Sequence, residues 1–203
     1  MKIMGRADSA NVQKVVWCCA ELGLSYERVD LGGKFGGTRE PDYLALNPNG
    51  MVPTLVEDDF VLWESNAIIR YLASRAGRLI PSSLRGRADV ERWMDWQLFT
   101  VAPPHVPLFV GLVRTPPEKR DWNKIKRGRD RTAEAFTILD GALRERDWVA
   151  GDEFSVADIA LGPFVYRWFE MDIEREDLPH LERWYNLLRQ RPPFNELVAI
   201  GIS

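Results

Sequence analysis

A proline stands inside a run that otherwise reads as a β-strand, Val52-Pro53-Thr54-Leu55-Val56. Proline has no N–H to give to a ladder, so such a strand must begin near the proline or lie on a sheet edge. A cis X–Pro bond, a form nearly confined to proline and typical of tight turns, serves that position. It leaves the backbone N–H and C=O of Val52 free for an extended peptide ligand. After an acidic turn at Glu57-Asp58-Asp59, a second strand runs from Phe60 to Trp63 and enters Glu64-Ser65, where a helical pattern starts. The first N–H groups of a helix are unpaired and lie at the positive end of its dipole, which suits a carboxylate. The stretch Asn47 to Asn66 thus offers two points of attachment for a small acidic peptide.

The rest of the first 77 residues alternates strand and helix patterns. Lys2 to Gly5 reads as a strand. Asn11 to Leu22 then puts Val12, Val15, Val16, Cys19 and Leu22 on one helical face, with Gly23 as its C-terminal stop. Tyr26 to Leu31 is a second strand, followed by a glycine-rich loop and a short helix at Pro41 to Leu46. The hairpin and the helix Ser65 to Arg75 complete a βαβ-ββα order. The first crossover demands parallel neighbours and the hairpin antiparallel ones, so a mixed sheet is expected.

Residues 78–86 are linker-like, and 87–203 show no convincing strand. Arg87 to Phe99 is helical in period, and Pro103, Pro104 and Pro107 must break or kink the continuing chain. Glu118 to Arg146 carries Ile125, Thr132, Phe136, Leu139 and Leu143 at helical spacing. Ser155-Val156-Ala157-Asp158 is a capping-box variant, with Phe154 set to staple against Ile159. A last helix, Leu178 to Gln190, stops before Pro192-Pro193. The fold class is α/β followed by all-α.

At 203 residues the chain can bury a sizeable core. Its formal charge of −3 is spread evenly, which argues against nucleic acid or an anionic membrane surface as a partner. The adjacent Cys18 and Cys19 cannot build a disulfide framework, and no long apolar segment stands out. A soluble, reducing, cytoplasmic setting is expected.

Several motifs occur together in order: Ser9-Ala10-Asn11-Val12 after the first strand, Glu21-Leu22-Gly23-Leu24, Asn47-Pro48-Asn49-Gly50 with Val52-Pro53, Glu64-Ser65 with Ala67-Ile68 and Arg70-Tyr71-Leu72, and Phe154 to Ile159. With them the whole chain resembles the cytosolic glutathione S-transferase superfamily, in particular its bacterial, theta-like members of serine or asparagine type. The resemblance implies a thioredoxin-like domain over 1–77 that binds glutathione and a helical domain over 87–203 that supplies a pocket for an electrophile. It also implies a role in detoxification and a homodimer, with contacts through 67–74 and 87–99. Glutathione would be a co-substrate, with no other cofactor.

A free thiol with a pKa of about 8.5 is only about 3% ionised at pH 7, and the thiolate is the nucleophile. One hydroxyl or amide donor to a charged acceptor contributes about 1.5–3 kcal/mol, or about one to two pKa units. The resemblance points to Ser9 as that donor and to Asn11 as the second choice; either residue also serves as an ordinary helix cap. No tyrosine precedes Tyr26, and the Cys-x-x-Cys of a dithiol oxidoreductase is absent from this turn. Both cysteines read as buried structural thiols.

By the same resemblance, Val52 and Pro53 meet the cysteinyl part of glutathione, and Glu64 and Ser65 its γ-glutamyl end. Met51 stands where many members carry Lys or Gln for the glycyl carboxylate, and methionine cannot donate a hydrogen bond. Lys34 and Arg39 are the substitutes at hand. The aromatic content of the second half suggests a pocket for an apolar electrophile, with His105, Arg114 and Tyr166 put forward as lining it. Two histidines without a metal-ligand spacing give no expectation of a metal. The alternatives are a glutathione-dependent disulfide or peroxide reductase and a non-catalytic glutathione-binding module.

Overall fold

A computed structural model describes residues 1–203. The first part runs β1 (Lys2–Met4), α1 (Ala10–Leu22), β2 (Glu27–Val29), α2 (Pro41–Leu46), β3 (Thr54–Glu57), β4 (Phe60–Trp63) and α3 (Ser65–Ala76). The sheet order is β2-β1-β3-β4. β2 runs parallel to β1, while β3 is antiparallel to both β1 and β4, so the sheet is mixed as its connections require. Val52–Pro53 is cis and precedes β3. Gly23 ends α1 in the left-handed conformation at φ 70°. Gly5, just after β1, cannot carry a side chain: a Cβ there would lie 2.4 Å from Cγ2 of Val12, so the glycine lets the strand end close on α1.

The second part is helical: α4 (Leu84–Trp96), α5 (Ala102–Phe109), α6 (Trp122–Ala142), α7 (Val156–Glu170), α8 (Pro179–Arg189) and α9 (Pro192–Leu197). Regular structure begins at Leu84, inside the segment expected as linker, because Ser83 accepts a hydrogen bond from the Gly86 N–H at 3.2 Å and caps α4. The prolines near residue 105 do not interrupt the helix. Pro103 and Pro104 open α5 directly after a π-helical turn, where the helical hydrogen-bond register changes, and Pro107 stands inside α5. π-helical turns at Gln97–Val101 and Val110–Arg114 keep the chain helical from Leu84 to Arg114. This 31-residue run is long and apolar enough to cross a membrane by length and composition alone, a continuity the prolines conceal in the sequence. Val90, Met94, Val101, Leu108 and Phe109 on it are buried in the core. Pro192-Pro193 likewise open α9 instead of only ending α8.

The capping box at α7 is present. Asp158 is fully buried and accepts from the Ser155 N–H and hydroxyl through Oδ2, and from the Val149 N–H and Trp184 Nε1 through Oδ1. Phe154 packs against Trp17 and Trp148. A single apolar cluster spans both halves and is centred on α1, whose Trp17 meets Phe194 edge-on at 5.0 Å.

α1 also carries a buried cation. Lys14 is completely buried; its Nζ donates to Gln97 Oε1 at 2.7 Å and Asn66 Oδ1 at 3.2 Å, and lies 5.0 Å from the Phe164 ring centroid. Burial pulls its ammonium down to about 7, opposed by Glu64 and assisted by Arg167. Between that value and the ordinary 10.5, the unfolded chain holds a proton that the folded chain has lost. Lys14 therefore makes stability rise with pH across that window. In Lys14→Met, the unfolding free energy from urea titrations between pH 7 and 10 should climb less steeply with pH than in the parent; equal slopes would refute the assignment.

Candidate functional site

The N-terminus of α1, the cis Val52–Pro53 turn and the start of α3 converge. Ser9 is the N-cap residue of α1, but its side chain makes no cap hydrogen bond. Asn11, in the first turn, accepts from Ser65 Oγ through Oδ1 at 3.3 Å, which leaves the two N–H donors of its amide uncommitted to that contact. Ser65 is buried as the first residue of α3. Before it, Glu64 is exposed and has φ 72° and ψ 112°. A non-glycine residue at positive φ costs about 1–3 kcal/mol and persists only where its surroundings hold it. The Ile68 N–H bonds its carbonyl at 2.9 Å, the first turn of α3.

Ser9, Asn11, Met51 and Val52 line a cleft of about 280 Å³ between the two parts of the chain. Arg6 lines it from the first part as well, and Val106, Arg114, Phe164 and Arg167 line it from the helical part. A larger cavity of about 550 Å³, between 77–81 and 150–155, contains none of the expected site residues. Met51, which lines the cleft, is 63% exposed, and its carbonyl is taken by the Tyr43 hydroxyl and the Asn47 amide. The guanidinium of Arg39 lies beside Gly50, where a Cβ would approach its Nη1 to 2.8 Å. Lys34 is exposed, with its Nζ over the Phe35 ring. Of the two candidates for the glycyl end, Arg39 is thus the one that adjoins Met51.

The helical domain departs from expectation. His105 is fully buried and does not line the cleft; its Nε2 pairs with the Phe164 carbonyl at 3.0 Å, and burial, with repulsion from Arg167, pulls its pKa down to about 3. Tyr166 is buried too, its hydroxyl accepting from the Gly201 N–H at 2.8 Å. Aromatic content suggests the cleft for both because composition does not distinguish a residue facing a pocket from one facing the core. Phe109, Trp93 and Trp168 are core residues, as aromatic groups at helical spacing usually are. Arg114 does line the cleft, together with Arg6 and Arg167, neither of which a motif singles out. A signal exists for Arg167: a lone cation within the apolar run Ile159 to Phe169 is unusual for a core helix.

The three guanidinium groups meet at one residue, Asp8. Asp8 Oδ2 lies 2.5 Å from Arg6 Nη1 and 3.5 Å from Arg114 Nη2, and the Asp8 main-chain carbonyl accepts from Arg167 Nη2 at 2.7 Å. Arg114 and Arg167 both lie over the Phe109 ring, at 5.1 and 4.0 Å from its centroid. Burial alone would raise the Asp8 pKa, but the bonded Arg6, with Arg114, holds it below the ordinary value. Arg167 is brought down to about 9 by burial and by its two arginine neighbours, and so remains charged near neutrality.

Both cysteines are buried and unpaired. Burial raises the Cys18 thiol well above its ordinary range and the Cys19 thiol to about 12. Neither can serve as a nucleophile at neutral pH.

Residues 8–75 match the family model "Glutathione S-transferase, N-terminal domain" and residues 98–192 the model "Glutathione S-transferase, C-terminal domain". The chain is 44% identical to glutathione S-transferase GstB of Escherichia coli over 205 residues, covering 99% of each protein. It is 31% identical to glutathione S-transferase 3 of Zea mays, covering 98% of this chain and 93% of that one. Among solved structures, it is similar to the theta class glutathione S-transferase of Xanthomonas axonopodis pv. citri with glutathione bound. The TM-score is 0.97 and the identity 46%, covering 100% of this chain and 98% of the other.

Because the cysteines are inaccessible, Ellman's reagent at pH 8 should modify no thiol in the native protein and two after unfolding in guanidinium. Modification of a native thiol at the rate of free cysteine would contradict the burial.

Proposed function

The chain belongs to the glutathione S-transferase family and is a glutathione S-transferase; from that premise we propose that Asn11 holds the glutathione thiolate while it attacks an electrophilic carbon of a small molecule. The observation that carries this reading is the Asn11–Ser65 hydrogen bond. With its oxygen engaged by Ser65, the Asn11 amide keeps its donors, not its acceptor, free for a sulfur in the cleft that Val52 also lines. The opening N–H groups of α1 add the positive end of a helix dipole at the same place. Together they favour thiolate over thiol. Ser9, which also lines the cleft, is the second donor.

The remaining contacts of glutathione come from placement. Val52 pairs through its main chain with the cysteinyl unit. The N-terminus of α3 at Ser65 receives the γ-glutamyl carboxylate, and the exposed Glu64 carboxylate faces its amine. Arg39 takes the glycyl carboxylate in place of a donor at position 51. Such chemistry needs glutathione as its reduced thiol, consistent with a cytoplasmic setting.

We further propose a homodimer through α3 and α4, the pair of helices named by the resemblance. Phe99, directly beyond α4, is 90% exposed, and Trp63 and Phe60 on the adjoining β4 are 38% and 40% exposed. Phe99→Asp is expected to shift the sedimenting species from twice the chain mass to the chain mass; a parent that already sediments as a monomer would refute the dimer.

The pH dependence of kcat/KM with an activated aryl halide reads the pKa of bound thiol. In Asn11→Ala that pKa should rise by about one to two units, the equivalent of one lost donor to a charged sulfur. In Ser9→Ala it should move by less. The reverse order would transfer the role to Ser9.

A further inference from the structure

The cleft that Asn11 and Val52 line also carries three cations, and none of the proposed glutathione contacts uses them. Arg6 comes from the end of β1, Arg114 from the last helical turn before Thr115, and Arg167 from the middle of α7. Three elements distant in sequence thus bring three guanidinium groups to one cavity. Bringing like charges together is unfavourable, and a core helix seldom carries an arginine with 7% exposure. The fold makes specific room for them. Gly33, at φ 56°, leaves the space that the Arg6 side chain occupies, since a Cβ there would lie 2.7 Å from Arg6 Cδ. Phe109 supports Arg114 and Arg167 on its ring. The Asp8 carboxylate opposes Arg6 and Arg114, the Asp8 carbonyl accepts from Arg167, and the Ser203 carbonyl accepts from Arg114 Nε and Nη2 at 3.0 and 2.8 Å, a contact that a bound carboxylate would take over.

We infer that this arginine wall is an anion subsite, and that the electrophile this enzyme prefers is a small molecule with a carboxylate close to its reacting carbon. The inference rests on the transferase reading and departs from the apolar electrophile expected of the sequence. Guanidinium groups match a carboxylate in geometry as well as charge, through paired N–H donors. The cleft's modest volume must also hold the cysteinyl part of glutathione, which favours a small partner. A carboxylate seated on Arg6, or on Arg114 in place of the Ser203 carbonyl, would place its neighbouring carbon in the cleft that Asn11 lines. There the glutathione thiolate forms a C–S bond as the bond to the leaving group breaks. A halide departs with that bonding pair, and the thiol proton has already passed to solvent.

Iodoacetate and iodoacetamide test this, since they differ only in carrying a carboxylate or its neutral amide, and the buried Cys18 and Cys19 are poor targets for either. Catalysed kcat/KM is divided by the uncatalysed second-order rate for each reagent. The parent should favour iodoacetate at least tenfold by this measure, about 1.4 kcal/mol. In Arg114→Gln and in Arg6→Gln the preference should fall by about tenfold. Binding is read separately by calorimetry with the two products, S-carboxymethylglutathione and S-carbamidomethylglutathione. The first should bind the parent at least tenfold more tightly, and the difference should disappear in Arg114→Gln.

Equal normalised rates together with equal product affinities would overturn the anion subsite while leaving the transferase reading intact. An unchanged preference in Arg114→Gln with a raised KM for glutathione would overturn it as well, by assigning the arginines to the glycyl carboxylate. Tighter binding of the carboxymethyl product without turnover of either reagent would keep the subsite and remove the transferase reading.

Discussion

Helix α1 is fixed by a buried charge, and the site depends on where that helix points. Lys14 has no access to water and no carboxylate bonded to it; it is held by the amide oxygens of Asn66 and Gln97 and by the face of Phe164. Those partners belong to α3, to the π-helical turn after α4 and to α7, so one ammonium ties the glutathione-binding part to two helices of the other part. Neutral oxygen acceptors leave most of the desolvation cost uncompensated, which is why the ammonium titrates so low. The same arrangement sets the direction of the α1 N-terminus, where Ser9 and Asn11 lie.

The start of α3 is coupled to this helix twice, through two neighbouring residues with different tasks. Asn66 accepts from Lys14 and donates to the Met94 carbonyl at 2.8 Å, while Ser65 donates to Asn11. A residue at the proposed substrate site is therefore one peptide bond from a residue that anchors the domain contact. The positive φ of Glu64 belongs to the same design: the chain must turn out of β4 and into α3 within one residue, and the contacts on both sides hold that turn.

Across the cleft, electrostatics replaces the aromatic lining that composition suggests. The aromatic groups of the helical part are mostly spent on its core, with Phe136, Trp168 and Trp184 buried there, while the buried Phe164 also reaches the cleft. What they leave at the cleft is the edge of α7 and the end of the long helix, from which Arg167 and Arg114 project. Phe109 shows how the two tasks meet, being itself core and yet supporting both guanidinium groups on its ring.

Much of the architecture is written locally. The strand and helix order, the cis Val52–Pro53 turn, the Gly23 stop and the Ser155–Asp158 capping box each depend on a few neighbouring residues, and each appears where the sequence places it. Local pattern reads less well where a residue type has two uses. Pro103-Pro104 and Pro192-Pro193 suggest ends, but a proline fits the first turn of a helix, or the change of register after a π-helical turn, as readily as it stops one. The elements, their order and the turns into α1 and α3 were thus legible in the chain alone. The three-dimensional arrangement was needed to turn His105 and Tyr166 toward the core, to orient Asn11 by Ser65, and to bring Arg6, Arg114 and Arg167 together. Burial and convergence depend on which faces of distant elements meet, and a helical period specifies a face without specifying its neighbour.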